Sequence, residues 1–133
     1  MPNLTSEILD YGELVVKQGN IETFILTVAG AGTVLKGTIL ARDTATNKMV
    51  VYVKGGATNG NGIPNTVLMS DTEAAGAGDV NVRGMTDGVV RQDHLVIAAD
   101  GDASNVDYIE RDGLRDFNVD VMIVTDNSVL DNL

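Results

Sequence analysis

The chain has 133 residues, a length typical of one domain, and contains no cysteine, which excludes disulfides, thiolate metal sites and cysteine catalysis. Only 4% of the residues are aromatic and none is tryptophan, so valine, leucine, isoleucine, methionine and alanine must build the core. Residues 1–66 carry equal numbers of acidic and basic side chains, and residues 67–133 carry the whole net charge of −10. Because an acidic surface repels phosphate backbones and anionic lipids, we expect neither nucleic acid nor a membrane as a partner.

The first 12 residues are predicted to form an arm. They begin MPNLTSEILD and show no regular hydrophobic period. They also lack a basic region followed by an apolar run, so no signal peptide is expected. Terminal segments of this kind are usually loose unless a partner holds them. We therefore divide the chain into an arm, residues 1–12, and a single β-rich domain, residues 13–133.

Eight segments that are rich in β-branched residues, or that alternate apolar and polar residues, are predicted to be strands. In chain order they cover residues 13–17, 21–28, 33–43, 48–54, 66–71, 80–86, 89–97 and 119–124. The third and fourth are expected to pair as a hairpin. Gly37, inside the third, predicts a bulge, a bend or a close backbone approach. The small residues of segment 72–79 predict a loop.

One helix is predicted at residues 104–116, where the apolar period changes from two to about four. Four residues recur at helical spacing, namely Val106, Ile109, Gly113 and Phe117. Ser104 with Asp107 three residues later resembles a capping box. The polar tail, residues 125–133, is expected to fray. The sequence thus predicts a mainly β fold with one short C-terminal helix, in the α+β class.

The stretch KGGATNGNGIPNTVLMSD, residues 54–71, raises the question of phosphate binding. A Walker-type loop requires Lys-Ser or Lys-Thr after its last glycine, but Gly62 is followed by Ile63 and Pro64. A dinucleotide-binding loop opens a helix, whereas a strand is predicted here, so no helix N-terminus can receive the anion. We interpret the glycines as residues that supply the positive φ angles of tight turns.

His94 and the acidic segment 100–111 do not form a predicted catalytic or metal site. His94 is the only histidine, and on a strand its neighbour Asp93 faces the opposite way, so a surface or interface role is expected. An EF-hand loop that began at Asp100 would need glycine at its sixth position and glutamate at its twelfth. Neither residue is present there, so Asp100 and Asp102 are interpreted as turn residues.

Lys48 lies on the predicted hairpin tip. Biotinyl and lipoyl carrier domains present a modified lysine on such a tip, but Asn47 stands where the biotinyl motif requires methionine. A small β-rich carrier or binding module with a modified Lys48 nevertheless remains the alternative function.

Short motifs follow one another in a recognisable order through residues 29–97. They are GTVL at 32–35, TATNK at 44–48, GNG at 60–62, VL at 67–68 with Asp71, GDV at 78–80 and RG at 83–84. In this order and spacing they resemble the lambda-type head decoration, or capsid-stabilising, proteins of tailed phages. A looser match extends into the helix and strand that follow.

The resemblance implies a compact, barrel-like or tulip-shaped subunit without enzyme activity or cofactor. It implies a homotrimer on the outer surface of the expanded, DNA-filled head, made in the host bacterial cytoplasm, that stabilises the head against internal DNA pressure. It further implies an arm that pairs with a strand of the major capsid protein of the same phage. The arm residues concerned are Pro2, Asn3, Leu4, Thr5, Ser6, Glu7, Ile8 and Leu9. The exposed tip of the glycine-rich stretch is then a candidate interface loop, formed by Asn59, Gly60, Asn61, Gly62, Ile63 and Pro64. The acidic half of the chain is hypothesised to face solvent.

Overall fold

The computed structural model of the protein describes residues 14–123, and this range contains ten strands, one 3-10 helix and one α-helix. The strands are β1 Val15–Gln18, β2 Ile21–Val28, β3 Gly32–Val34, β4 Ile39–Arg42, β5 Met49–Val51, β6 Thr66–Leu68, β7 Thr72–Ala74, β8 Gly78–Met85, β9 Gly88–Arg91 and β10 Val119–Met122. The 3-10 helix is Gln92–His94, and the α-helix, α1, is Tyr108–Arg115. The predicted arm, residues 1–12, and the predicted tail, residues 125–133, lie outside the described residues.

Five strands close into a barrel in the order β2-β5-β4-β6-β8. The longest pairing joins β2 to β8 antiparallel, from Ile21 opposite Met85 to Val28 opposite Gly78. The predicted hairpin is confirmed, since β4 and β5 pair antiparallel. Leu26 beside Met49 joins β2 to β5 in parallel and closes the barrel. The predicted mainly β, barrel-like subunit with one short helix is therefore confirmed.

Two smaller sheets complete the described fold. One has the order β1-β9-β10, in which β1 is antiparallel and β10 parallel to the central β9. The other is a two-stranded ribbon of β3 and β7. Helix α1 packs against β10, the strand that follows it in the chain.

The core consists of two clusters of buried side chains, and both are almost entirely aliphatic, as the composition requires. The barrel cluster consists of Ala74 of β7 and of residues of the barrel strands, with Leu26, Leu40, Met49, Leu68 and Val82 among them. The sheet cluster includes Leu14, Tyr52, Val90, Leu114 and Val119 and thus joins the three-stranded sheet to α1. Each such side chain contributes roughly 1.5–3 kcal/mol of hydrophobic transfer free energy when it is buried.

The predicted strand 33–43 is two strands in different sheets, and Gly37 separates them. Its φ of +93° is accessible mainly to glycine. A Cβ at this position would lie 2.2 Å from the carbonyl oxygen of His94. The sequence therefore predicted the close backbone approach correctly, but not the division of the segment into β3 and β4.

Two other predicted boundaries were wrong. Segment 72–79 was expected to be a loop, but Thr72–Ala74 forms β7, which pairs with β3 because the bend at Gly37 turns β3 away from the barrel. The predicted strand 89–97 ends at Arg91, where a 3-10 turn begins.

The helix begins four residues later than predicted. The Asp107 carboxylate accepts a hydrogen bond from the Ile109 amide at 2.9 Å, and the Glu110 carboxylate accepts one from the Asp107 amide at 2.9 Å. This capping box carries the usual glutamate at its third helical position. The Ser104 hydroxyl instead donates to Asp102 at 2.6 Å.

The predicted apolar face of the helix was also wrong in part. Val106 is buried, but the side chains of Ile109 and Phe117 are 43% and 40% exposed. The buried residues of α1 are Glu110 and Leu114. The carboxylate of Glu110 is therefore buried at a helix position where an apolar pattern would require an aliphatic residue.

Candidate interaction surface

The candidate interface loop, residues 59–64, connects β5 to β6 and is held by backbone hydrogen bonds. The Val53 amide donates to the Asn61 carbonyl at 2.9 Å, and the Thr44 amide donates to the Asn59 carbonyl at 2.9 Å. The Asn61 side-chain oxygen accepts the Thr58 amide at 3.1 Å. The loop thus has a defined shape, which an interface contact requires.

The glycines of this loop serve its geometry, as the sequence predicted. Asn59 and Gly60 both have positive φ, at 49° and 80°. A Cβ on Gly62 would lie 2.1 Å from the Gly56 carbonyl oxygen. The amides of Asn61 and Ile63 donate to the carbonyls of Thr58 and Gly60, and the strand β6 follows the loop. These amides are not available to a phosphate, and no helix starts there.

The loop ends against α1. A Cβ on Gly113 would lie 2.9 Å from Pro64 Cδ, so the helix backbone passes directly over this buried proline. Ile63, the preceding residue, is 55% exposed. Phe117 lies beside Asn65 at the rim of a small depression. The candidate loop and the exposed face of α1 therefore form one continuous surface, which the sequence did not predict.

A buried polar cluster fixes α1 to the barrel. The fully buried Glu110 carboxylate accepts a hydrogen bond from the Tyr52 hydroxyl. It also forms an ion pair with Lys54, whose Nζ lies 3.1 Å from Glu110 Oε1. Lys54 Nζ also lies 3.0 Å from Asp107. Sequence reasoning missed this cluster, because nothing in the local pattern links residues 52 and 54 to residue 110.

The pKa values of the cluster follow from these contacts. Burial and the contact with Glu110 raise the pKa of the Tyr52 hydroxyl. Desolvation lowers the pKa of Lys54, but hydrogen bonds to Asp107 and Glu110 outweigh it, so the pKa is raised. The Ile109 amide and Lys54 lower the pKa of Asp107. Each shift favours the protonation state that holds the cluster together at neutral pH.

The acidic residues considered for chemistry have structural contacts. His94 ends the 3-10 helix with an exposed side chain, and Asp93 pairs with Arg91 at 2.7 Å. Asp100 accepts a hydrogen bond from the Asn105 amide group at 2.9 Å, and Asp102 accepts the Ser104 amide at 3.0 Å, which fits the predicted turn. Within residues 14–123 no group of three metal-ligating side chains is found.

Lys48 takes part in an ion pair. Its Nζ lies 2.6 Å from the Asp79 carboxylate, which also accepts a hydrogen bond from the Thr27 hydroxyl at 2.8 Å. In the same described range no helix has the length and apolar character needed to cross a bilayer.

Both ends of the described chain lie at the same end of the three-stranded sheet. The Arg91 amide donates to the Leu14 carbonyl at 2.8 Å, and Met122 lies opposite Arg91 on the other side of β9. Strands on either side of a central strand are about 10 Å apart. Leu14, the first described residue, therefore lies near the end of β10.

A family model described as bacteriophage lambda head decoration protein D matches residues 12–117, which is most of the chain. The chain belongs to this family. A search of curated proteins returned no match. The protein is thus a phage head decoration protein, associated with the virion capsid, and its family is a structural one. The match begins at the end of the predicted arm and includes the candidate interface loop and α1.

Proposed function

We propose that this decoration protein binds the outer surface of the expanded head as a homotrimer and stabilises the head against the pressure of the packaged DNA. The family match over residues 12–117 is the observation that carries the proposal. A protein that binds only the expanded shell shifts the shell toward that state by mass action. No chemistry is required of its side chains, in accord with the ion pair of Lys48 and the turn hydrogen bond of Asp102.

The arm, with Pro2–Leu9 as its contact segment, pairs with a strand of the major capsid protein. The position of β1 supports this pairing, because β1 lies at the margin of its sheet and, among the described strands, pairs with β9 alone. The free edge of a strand offers unpaired amides and carbonyls to a further strand. The arm directly precedes β1 and can continue this edge toward the shell.

The end of the sheet near Arg91 then faces the shell. The acidic half of the chain was hypothesised to face solvent, and that assignment stays a prediction. Ala103 lies with Gln92 and Ile123 around one small depression, so the acidic segment 100–116 begins close to the shell-facing end. Carboxylate labelling of decorated particles decides the point, since poor labelling of residues 100–116 would contradict the hypothesis.

Deletion of residues 2–12 tests the arm. Leu14 is 1% exposed in the sheet cluster, so the deletion stops before the first core residue and the melting temperature should stay the same. We expect the truncated protein to lose binding to heads in a co-sedimentation assay. Deletion of residues 125–133 is the control, because the proposal places no contact there, and it should retain binding. Full decoration by the arm-deleted protein would show the arm assignment to be wrong.

The carrier alternative requires a modified Lys48. The ammonium of this lysine is already engaged by Asp79, and the family is structural, so both observations favour decoration. An intact mass with a biotinyl or lipoyl adduct on Lys48 would favour the carrier instead.

A further inference from the structure

One surface cavity of the described residues is an open, mostly apolar groove of about 470 Å³. We call it the valine groove and define it by Val28, Ala31, Val34, Val51, Val53 and Asn61. It lies between the end of β2, the start of β3 and the first part of the candidate interface loop. A groove of this size accommodates several apolar side chains.

An exposed apolar surface adjoins the same loop. We call it the α1 stripe and define it by Ile63, Ile109 and Phe117, whose exposed fractions are 55%, 43% and 40%. Ile109 and Gly113 are four residues apart on one side of α1, and Phe117 follows in the turn after the helix ends at Arg115. Because Gly113 packs on Pro64, this side of the helix adjoins Ile63.

We propose that the α1 stripe of one copy of this chain docks into the valine groove of the next copy, and that this contact forms the subunit interface. The inference rests on the proposed trimer and names the surfaces that build it. A contact between two different patches is heterologous, and repeated around an axis it closes into a ring. The candidate loop contributes to both sides, since Asn61 lines the groove and Ile63 belongs to the stripe.

The low charge of the groove allows a second, like-charged copy to occupy it. Two copies that each carry a net charge of −10 repel one another unless they meet where charge is sparse. Asp43 is the one ionisable residue among those described as lining the groove. Its carboxylate accepts the amides of Ala45 and Thr46, at 2.8 and 3.3 Å, within its own turn.

The location of the groove separates it from the proposed shell contact. Val28 and its partly buried neighbours Val34 and Val51 pack on the barrel cluster. Leu14, the first described residue, belongs to the sheet cluster. The groove thus adjoins a different cluster from Leu14, the residue nearest the predicted arm, so one subunit can contact the shell and a neighbour at the same time.

Cysteine cross-linking tests the contact, because the chain has no cysteine of its own. The test variant is Ala31→Cys with Phe117→Cys. Phe117 lies beside Glu22 and Phe24 near the start of β2, whereas Ala31 follows the end of β2. At about 3.3 Å per residue along the strand, the two positions exceed the roughly 7 Å Cα–Cα limit of a disulfide within one chain.

We expect oxidation of this variant to give covalent dimers and trimers on a non-reducing gel, with no larger species. The matched control is Ala31→Cys with Arg115→Cys, which places the thiol on the opposite side of α1 and should give no ladder. A covalent dimer from Phe117→Cys alone would mean that the stripe meets itself, which overturns the inference. A trimer by light scattering without any Ala31–Phe117 cross-link also overturns it, but leaves the proposed trimer intact. A monomer both in solution and on heads contradicts the trimer of the proposed function itself.

Truncation of the stripe gives an independent measure. Phe117→Ala should weaken self-association roughly tenfold or more, because exposed aromatic side chains that fill a partner's pocket dominate interface energetics. Tyr108→Ala removes the exposed aromatic ring at the start of α1, which is 61% exposed and outside the stripe, and should leave association unchanged. Equal association for both variants in analytical ultracentrifugation would overturn the inference.

Discussion

Glu110 is the one fully buried acidic side chain in the described part of the molecule. A buried carboxylate is costly unless it is paired and hydrogen-bonded. Here Tyr52, Lys54 and the Asp107 amide together satisfy it. The carboxylate therefore closes the N-terminal turn of α1 and ties that turn to the end of β5 at the same time.

Removal of this carboxylate should cost more than any exposed substitution on α1. Glu110→Ala leaves the Tyr52 hydroxyl without its acceptor and opens the capping box, so we expect a loss of about 3 kcal/mol in the free energy of unfolding. Asp112→Ala, on the exposed side of the same helix, should change it by less than about 0.5 kcal/mol. Urea titration followed by circular dichroism measures both. Equal losses would mean that the cluster contributes no more than a surface pair.

At the scale of elements, the loop between β5 and β6 explains the position of α1. Pro64 ends the loop as a buried residue, and the helix needs glycine at position 113 to pass over it. The loop holds Pro64 there because Gly56 and Gly62 allow two stretches of its backbone to approach closely. The glycines thus act on the helix through the shape of the loop.

A methyl group on Gly62 should disrupt this arrangement. Its Cβ would lie 2.1 Å from a backbone oxygen that cannot rotate away, so Gly62→Ala should destabilise the protein by about 1–3 kcal/mol. Gly76→Ala is the control, because nothing lies within 4 Å of a Cβ there. That substitution should be neutral or should stabilise by up to about 1 kcal/mol. Thermal unfolding compares the two variants, and a Gly62→Ala protein as stable as the parent would contradict the close approach.

For the whole molecule, the excess of carboxylates is partly neutralised by specific contacts. Lys48 and Arg91 hold the pKa values of Asp79 and Asp93 below their usual range. Hydrogen bonds from Ser104 and Ile109 do the same for Asp102 and Asp107. The folded protein therefore binds fewer protons than the unfolded chain in mild acid.

This difference sets the pH dependence of stability. A carboxylate with a lowered pKa in the folded state stabilises that state above its unfolded pKa, near 3.8, and loses this effect as the pH falls through the lower folded value. We therefore expect the free energy of unfolding to be nearly constant from pH 7 to about 5 and to fall below about pH 4. Asp107→Asn should be less stable at neutral pH and should show a smaller acid decline. An unchanged decline in this variant, measured by urea titration across the pH range, would contradict the contribution of Asp107.

Much of the fold could be predicted from local sequence. The segment 21–28 forms a strand because its β-branched and aromatic residues fit a pleated, half-buried surface, and the observed bounds of β2 are the same. Gly37 indicated a close approach of two backbone segments, and the order of short motifs indicated the decoration protein family. The proposed function and the candidate loop were inferred from that order, since the sequence contains no recognisable catalytic or metal-binding motif.

The sequence by itself determined the β-rich class, the aliphatic core and the family, because these depend on residue type and on spacing along the chain. The tertiary structure alone decided the pairing of β3 with β7, the burial of Glu110, and the union of Ile63 with Ile109 and Phe117 in one exposed stripe. These features depend on contacts between residues that are distant in sequence. Such contacts leave no periodic pattern in the sequence. For this reason two residues that apolar spacing assigned to the buried face of the helix, Ile109 and Phe117, are exposed.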